Sequence, residues 1–139
     1  GVADPGALVV EACHRKSIKV VPLVGPSSIL LAMMASGLNG QSFAFNGYLP
    51  VKPPERSKAI KALERRAHME HQSQIFIETP YRNDAMLNDI LEVCDASTRV
   101  CIAADITLPS AYIKTRTVEQ WRKNKITIEK RPCVFILMA

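Results

Sequence analysis

Short apolar runs alternate with polar and charged stretches along the chain, and the spacing of the apolar positions changes from one segment to the next. Apolar residues three and four positions apart predict amphipathic helices, whereas short β-branched runs bounded by turn residues predict strands. The pattern predicts helices over residues 7–16, 29–36, 55–71, 83–94 and 118–123. It predicts strands over residues 19–22, 42–48, 74–78, 99–106, 112–117 and 133–138. This alternation of strands and helices is typical of an α/β fold.

The last third of the chain departs from that alternation. Residues 112–117 alternate in strand fashion, a short helix follows at 118–123, and residues 133–138 form an unbroken apolar strand. Because two strands here lack a crossover helix between them, we expect an antiparallel element in an otherwise parallel sheet.

The Asn39-Gly40 turn marks a candidate domain boundary, which we place near Leu38 to Ser42. Residues 1–38 are expected to be the tail of a parallel-sheet N-terminal α/β domain, and residues 39–139 a mixed-sheet C-terminal α/β domain. The chain opens on Gly1, and the segment to Gly6 reads as a strand end running into a helix. We therefore expect the chain to begin inside a domain, as a C-terminal fragment would.

The composition is that of one ordinary globular unit, with 139 residues, 47% hydrophobic and 22% charged. The longest unbroken apolar stretch, residues 29–35, is far shorter than the roughly 20 residues that a membrane span needs. The four cysteines form no CxxC pair or other ligand spacing, which favours reduced thiols. We expect a soluble, cytoplasmic protein without a membrane segment or a disulfide.

The formal net charge is +5, and the basic residues fall mainly in two stretches. The first contains Lys52, Arg56, Lys58, Lys61, Arg65 and Arg66, and the second Lys114, Arg116, Arg122, Lys123, Lys125, Lys130 and Arg131. Such clusters provide the field that attracts RNA or another anion. The alternative interpretation is a solvated helix face together with an exposed sheet edge.

Familiar catalytic motifs are missing from the sequence, which has no Ser-His-Asp order, no Walker loop and no GxGxxG. His68 and His71 lie three residues apart on a predicted helix, a spacing that could present two imidazoles to a metal. No cysteine or carboxylate is placed to complete the ligand shell, so we expect no metal site. The sequence assigns no catalytic residue.

What the sequence does contain is a series of turns that each close a strand. They are Asp4-Pro5-Gly6, Gly25-Pro26-Ser27-Ser28, Glu78-Thr79-Pro80-Tyr81-Arg82 and Ala103-Ala104-Asp105. In α/β proteins ligands bind at the carboxyl ends of strands, where helix-terminal amides face them. In this order the turns resemble those of the tetrapyrrole methylase superfamily.

The resemblance is closer to the branch of that superfamily that methylates a ribose in small-subunit ribosomal RNA. Val21-Pro22-Leu23-Val24-Gly25-Pro26-Ser27 and Ala35-Ser36-Gly37-Leu38 are similar to its Val-Pro-x-x-Gly-Pro-Ser element and its Ala-Ser-Gly-Leu helix ending. Phe45-Asn46-Gly47-Tyr48-Leu49-Pro50-Val51-Lys52 resembles its Phe-x-Gly-Phe-Leu-Pro-x-Lys signature, and residues 78–82 resemble its Glu-Ser-Pro-His-Arg turn. The match spans nearly the whole chain.

The resemblance implies a homodimeric enzyme that binds S-adenosylmethionine (SAM) in a cleft between two α/β domains. Carried over residue by residue, it implies cofactor contacts from Asp4, Ser27, Ser28, Ile29, Ile77, Glu78, Thr79, Ala103, Ala104, Pro132 and Cys133.

Three basic residues are candidates for contacting an anionic substrate: Lys52, Arg56 and Arg82. Guanidinium groups match the geometry of phosphate oxygens. For Arg82 the alternative is a structural ion pair with a neighbouring acid such as Asp84.

One segment departs from the ribosomal RNA branch. That branch has a lysine and a His-Glu-Glu cluster after the strand that corresponds to residues 99–106, whereas Thr107 to Tyr112 here carry no charge. Three hypotheses therefore remain open: a methyltransferase acting on RNA, one acting on a tetrapyrrole or another small molecule, and a non-catalytic module that retains the fold and binds RNA or a partner.

Overall fold

A five-stranded mixed sheet organises the part of the chain that the computed structural model describes, residues 2–139. Its strands are β1 (Phe43–Tyr48), β2 (Ser73–Ile77), β3 (Arg99–Ala104), β4 (Tyr112–Thr117) and β5 (Cys133–Met138). The helices of this part are α1 (Ala7–Arg15), α2 (Ser28–Ser36), α3 (Pro53–Glu70), α4 (Asn83–Val93) and α5 (Val118–Lys123). A short 3₁₀ turn, Pro80–Arg82, leads into α4.

The strands are arranged in the order β1-β2-β5-β3-β4. Only β1 and β2 pair in parallel, whereas β5 runs antiparallel to both β2 and β3, and β4 runs antiparallel to β3. The mixed α/β fold class is confirmed. The expectation of one antiparallel element in an otherwise parallel sheet was wrong: the last strand inserts between β2 and β3 and forms two antiparallel pairings, and β3 with β4 is a third among the four.

Both faces of the sheet are covered by helices. Successive side chains of a strand point to opposite faces. Phe76, Ile102 and Phe135 lie with α3, α4 and α5 in one apolar core. Ile75, Ala103 and Ile136 belong to a second core on the other face, which the α2 residues Ala32 and Met33 complete. The strand ends are therefore held between two layers.

The start of α3 differs from the sequence prediction. Pro53 and Pro54, which we expected in a corner before the helix, form its first turn. The first-turn amides of a helix have no intrahelical acceptor, so a residue without an N–H fits there. The helix extends to Glu70 and is followed by His71 in the left-handed region.

The predicted strand over residues 19–22 is wrong. These residues form no regular secondary structure, and their side chains are exposed. A strand needs a neighbouring strand to accept and donate its backbone hydrogen bonds, and no described segment pairs with this one. Helix α1 forms as predicted, yet none of its residues is buried, and its Leu8 and Val9 are exposed.

The N-terminal residues that precede the predicted domain boundary are not all separate from the sheet. Helix α2 packs against β3, β4 and β5, and the Thr115 hydroxyl donates a 2.6 Å hydrogen bond to the Ser36 carbonyl. The boundary near residue 38 stays a prediction, but it lies C-terminal to a helix that belongs to the second core.

Candidate functional site

A cleft of about 330 Å³ opens where several strands begin or end. The carboxyl ends of β1, β2 and β3 meet there with the first residues of β5, since β5 runs in the opposite direction. The lining is formed by Ser28, Tyr48, Ile77, Glu78, Pro80, Ala103, Asp105, Ile106, Leu108, Pro132, Cys133 and Val134. It is mostly apolar with a few polar groups, which is typical of a small-molecule site.

Six of the residues that the resemblance implied as cofactor contacts line this cleft. They come from four separate parts of the chain: Ser28, Ile77, Glu78, Ala103, Pro132 and Cys133. The Ala103 and Cys133 side chains are buried, so the cleft is tightly walled at these strand ends. Burial raises the pKa of the Cys133 thiol to about 12. The thiol is therefore uncharged at physiological pH and lines the cleft without acting as a nucleophile.

Five other implied contacts do not line the cleft. Asp4 lies before α1, where its carboxylate accepts a 2.7 Å bond from the Gly6 amide. Ser27 is the N-cap residue of α2 and forms no capping hydrogen bond with its side chain. Ile29, in the first turn of α2, packs against the core between this helix and the sheet. Thr79 donates to Glu78, and the Ala104 side chain points into the opposite core.

At one wall of the cleft the buried Glu78 carboxylate pairs with Arg82, which is partly exposed. The Arg82 guanidinium donates a 2.9 Å bond to Glu78 Oε1, and the amide of Thr79 donates a 2.6 Å bond to the same oxygen. Burial raises the pKa of the Glu78 carboxyl, but these hydrogen bonds outweigh it and hold the pKa below its ordinary value. Glu78 is therefore ionised at neutral pH.

The role expected for Arg82 changes as a result. Its guanidinium pairs with Glu78 and lies 4.9 Å from the centre of the Tyr81 ring, so its charge is largely used within the protein. Asp84, the partner considered from the sequence, instead accepts hydrogen bonds from the amides of Ile128 and Glu129. Arg82 lies next to the cleft residue Glu78 and is partly exposed, and its contact with an anionic substrate stays a prediction.

A second carboxylate at the cleft, Asp105, holds the turn that follows β3. Its Oδ2 accepts a 2.7 Å bond from Arg131 Nε and a 2.9 Å bond from the Ser110 hydroxyl. These bonds, Arg131's above all, lower the pKa of Asp105. The Asp105 amide donates to the Pro132 carbonyl, which ties this turn to the start of β5. Both cleft carboxylates are thus ionised and each is paired with an arginine.

Arg56 is wrong as a substrate contact. Its side chain is only 5% exposed and forms a salt bridge with Asp89, while its Nη1 donates to the Val51 carbonyl. A phosphate cannot reach a guanidinium that is enclosed in this way. Lys52 is exposed at the N-terminal end of α3 and remains available.

The outer face of α3 carries the exposed cations of the first basic stretch. Lys58, Lys61 and Arg65 line a shallow groove of about 910 Å³ together with the loop that precedes β3. Lys61 is paired with Glu64 and Asp95, which raise its pKa further. This groove borders the start of β3 and the residue after β5, so it lies at the opposite end of the sheet from the cleft.

Most arginines of the second basic stretch have structural partners. Arg122 donates to the carbonyls of Leu91 and Cys94 at the end of α4, and Arg116 lies over the Trp121 ring. Arg131 pairs with Asp105 and Lys123 with Glu119. This stretch is therefore less available to an anion than its charge in the sequence implies.

Among residues 2–139, no group of three or more histidines, cysteines or acids is arranged to hold a metal ion. None of the helices over the same residues has both the length and the hydropathy of a membrane span.

Half of the residues that line the cleft were not predicted from the sequence. The additional lining residues are Tyr48, Pro80, Asp105, Ile106, Leu108 and Val134. Tyr48 and Pro80 lie inside the two signature segments, so their position in the sequence was a usable signal. Ile106 and Leu108 carry no such signal, because the strand was expected to continue to Ile106 and in fact ends at Ala104.

The sequence is similar to two proteins named ribosomal RNA small subunit methyltransferase I. It is 35% identical over 106 residues to the one from Vibrio cholerae serotype O1, covering 76% of this chain. It is 31% identical over 140 residues to the one from Buchnera aphidicola subsp. Schizaphis graminum, covering 99% of this chain. The matches span only 35% and 48% of the lengths of these two relatives. No family model matches the sequence.

Solved structures with a similar fold include two methyltransferases. The methyltransferase CobJ is 19% identical with a TM-score of 0.62, and the match covers 99% of this chain and 60% of that one. Uroporphyrin-III C-methyltransferase from Thermus thermophilus, solved with S-adenosylhomocysteine, is 15% identical with a TM-score of 0.54, covering 99% of this chain and 58% of that one. At these identities the likeness establishes the fold.

Proposed function

This chain belongs to the tetrapyrrole methylase superfamily, and on that basis we propose that the full-length protein is a SAM-dependent methyltransferase acting on small-subunit ribosomal RNA. The observation that carries the proposal is that six of the residues implied as cofactor contacts line one cleft at the strand ends. The names of the two relatives support an RNA acceptor. By the resemblance of the signature segments, we propose a ribose 2′-hydroxyl as the methylated group.

The residues of the cleft fit such a cofactor. The lining is largely apolar, and its two charged groups, Glu78 and Asp105, are carboxylates. Bound SAM would supply an activated methyl group on a cationic sulfur, and the residues that line the cleft would hold it there. Ionised Glu78 and Asp105 are each neutralised and fixed by an arginine, so the lining carries little net charge and neither side chain needs to reorganise when a ligand binds.

The chain's own residues contribute orientation and exclusion of water. Ala103 and Ile77 at the strand ends present small or apolar side chains, which lets a ligand approach the backbone closely. Proximity and alignment supply a large part of the rate of a displacement between two bound partners. This fits a site in which the described residues form no Ser-His-Asp arrangement.

We also propose that the full-length protein is homodimeric and cytoplasmic, as the resemblance implies. An acceptor in the ribosome fits a cytoplasmic location. The three cysteines Cys94, Cys101 and Cys133 are buried free thiols, which fits a reducing compartment.

Titration calorimetry of the full-length protein with S-adenosylhomocysteine tests the cofactor. The matched variants are Ser28→Tyr, which places a large ring at a cleft residue, and Met34→Tyr, which places the same ring on an exposed position of the same helix. We expect Ser28→Tyr to weaken binding and Met34→Tyr to leave it unchanged. No heat from the unmodified protein at millimolar ligand would favour a non-catalytic binding module instead.

Transfer of labelled methyl groups tests the acceptor. The full-length protein is incubated with labelled SAM and either small ribosomal subunits or a tetrapyrrole mixture. We expect label in the ribosomal RNA, stable to the alkali that cleaves unmodified ribose linkages. Label found only in the tetrapyrrole fraction would contradict the proposed acceptor.

A further inference from the structure

Tyr48 lies at the rim of the cleft because of an irregularity in β1. The pairing of β1 with β2 is regular from Phe43 to Phe45 and then shifts, so that Tyr48 pairs with Ile77 and one extra residue lies in β1. Gly47 has a φ of +66°, in the left-handed region that favours glycine. Such a bulge bends a strand and redirects the side chain that follows it.

The bulge is held by the side chain of Asn46. Its amide nitrogen donates to the carbonyls of Ala44 and Ile75 and to Oε1 of Gln74, at distances of 3.1 to 3.2 Å. The bonds to Gln74 and Ile75 cross from β1 to β2 beside the extra residue, and the bond to Ala44 stays within β1. The direction of Tyr48 is therefore set by two neighbouring residues, Asn46 and Gly47, rather than by packing of the ring itself.

The tyrosine ring is open to solvent and faces an apolar site. Tyr48 is 62% exposed, although it is a large aromatic residue that lines the cleft. Leu108, also at the cleft, is 53% exposed, and Ile106 adds a partly buried aliphatic surface. The charged lining residues, Glu78 and Asp105, are both paired with arginines. The lining at this rim is thus largely apolar, and both of its charged residues are paired.

We propose that Tyr48 stacks on a nucleobase that enters the cleft, and that the base belongs to the acceptor RNA in an unstacked conformation. This inference rests on the proposed function. Sequence-specific binding of RNA uses bases that are splayed out and stacked on aromatic side chains. A solvent-exposed tyrosine offers an aromatic ring for such stacking and a hydroxyl that can hydrogen-bond to water. The other source of a base is the adenine of the cofactor, and Tyr48's exposed position favours the acceptor strand.

The test uses the full-length protein with the variants Tyr48→Ala, Tyr48→Leu and Tyr48→Phe. Phe43→Ala is the control, because Phe43 is an aromatic residue at the other end of the same strand and does not line the cleft. The two probes are S-adenosylhomocysteine and a single-stranded fragment of small-subunit ribosomal RNA with 2-aminopurine at the target position. Quenching of 2-aminopurine fluorescence reports stacking directly.

We expect Tyr48→Ala to weaken RNA binding about tenfold to a hundredfold, because loss of one base–aromatic stack weakens binding by about that factor. The same variant should remove the quenching. Tyr48→Phe should retain both, Tyr48→Leu should lose the quenching, and Phe43→Ala should behave as the unmodified protein. Weakened S-adenosylhomocysteine binding with unchanged RNA binding would assign the stacked base to the cofactor's adenine and overturn the acceptor assignment. Equal losses in Tyr48→Phe and Tyr48→Ala would overturn stacking, because they would assign the effect to the hydroxyl.

Failure of this inference is distinguishable from failure of the proposed function. If the unmodified protein binds S-adenosylhomocysteine and methylates RNA while Tyr48→Ala binds both probes normally, only the inference is overturned. If the unmodified protein neither binds S-adenosylhomocysteine nor transfers methyl groups, the proposed function fails. Quenching that depends on Tyr48 would then still support the stacking contact with RNA.

Discussion

At the scale of single residues, Arg56 illustrates how a cation becomes part of the fold. Its position on α3 places it among the buried residues of that helix, together with Ile60, Leu63 and Glu64. Asp89 on α4 supplies the opposite charge, so the pair fastens the two helices to each other. A buried ion pair of this kind gives little net stability by itself, but loss of one partner leaves a buried charge without compensation.

Replacement of Arg56 by alanine should therefore lower the free energy of unfolding by about 3–5 kcal/mol. Urea denaturation of the full-length protein, followed by circular dichroism, measures the change. Arg65→Ala is the matched control, since Arg65 is an exposed arginine of the same helix and its loss should change stability by about 0.5 kcal/mol or less. Similar losses in the two variants would contradict the structural role of Arg56. The combined change Arg56→Met and Asp89→Leu should recover much of the stability.

At the scale of secondary-structure elements, periodicity predicted what depends on local sequence. The segment 83–94 forms α4, and its residues Met86, Leu87 and Ile90 are buried as their spacing predicted. The failure at residues 19–22 has a physical reason, because a β-branched run becomes a strand only where another strand pairs with it. The antiparallel insertion of β5 is equally non-local, and no pattern within residues 133–138 specifies it.

The candidate site likewise contains residues that the local sequence predicted and residues whose position depends on distant parts of the chain. Strand-end turns in the signature segments led to Ile77, Glu78 and Ala103, which do line the cleft. The charge of Arg56 made it a candidate for an anionic substrate, but the sequence could not specify its partner Asp89, which lies 33 positions further along the chain. Tyr48 went unassigned because its direction depends on a bulge that forms only when β1 pairs with β2.

The bulge in β1 provides a test at this scale. Gly47→Ala should lower the free energy of unfolding by about 1–2 kcal/mol, the cost of a left-handed backbone for a residue with a Cβ atom. No atom lies within 4 Å of the Cβ position at Gly47, so this cost is conformational rather than steric. Gly40→Ala, at an equally open site without a left-handed backbone, is the control and should be nearly neutral. Thermal or urea unfolding measures both, and Gly47→Asn should be milder than Gly47→Ala. Equal effects at the two glycines would contradict the assignment of strain to Gly47.

At the scale of the whole molecule, the cleft and the cationic face of α3 lie at opposite ends of the sheet. The cleft carries paired carboxylates, whereas the outer face of α3 carries Lys58 and Arg65 without acidic partners among the described ion pairs. An extended RNA could engage both ends, with its backbone on α3 and its acceptor nucleotide at the cleft. Affinity and chemistry would then depend on different surfaces.

Charge reversal of Lys58 and Arg65 should weaken RNA binding and reduce its dependence on salt. For single strands the slope of log K against log salt falls by roughly 0.7 for each phosphate that the protein no longer neutralises. Fluorescence anisotropy of a labelled ribosomal RNA fragment over a salt series measures the slope for the full-length protein. S-adenosylhomocysteine binding should be unchanged, because neither residue lines the cleft. The double variant Lys125→Glu and Lys130→Glu changes two exposed lysines outside both surfaces and so matches the change in net charge. An unchanged slope would exclude α3 from the RNA-binding surface.

The central position of β5 has a consequence for how the sheet assembles during synthesis. β1 and β2 form one pair and β3 and β4 another, and the sheet joins these pairs only through β5, whose six residues are all buried. Residues 133–138 leave the ribosome after the other four strands of this sheet, so the earlier pairs have unpaired edges until β5 emerges. Long-range pairing of this kind slows folding and exposes edges to aggregation. A nascent chain stalled before residue 133 should therefore be a substrate for chaperones that bind unpaired strands.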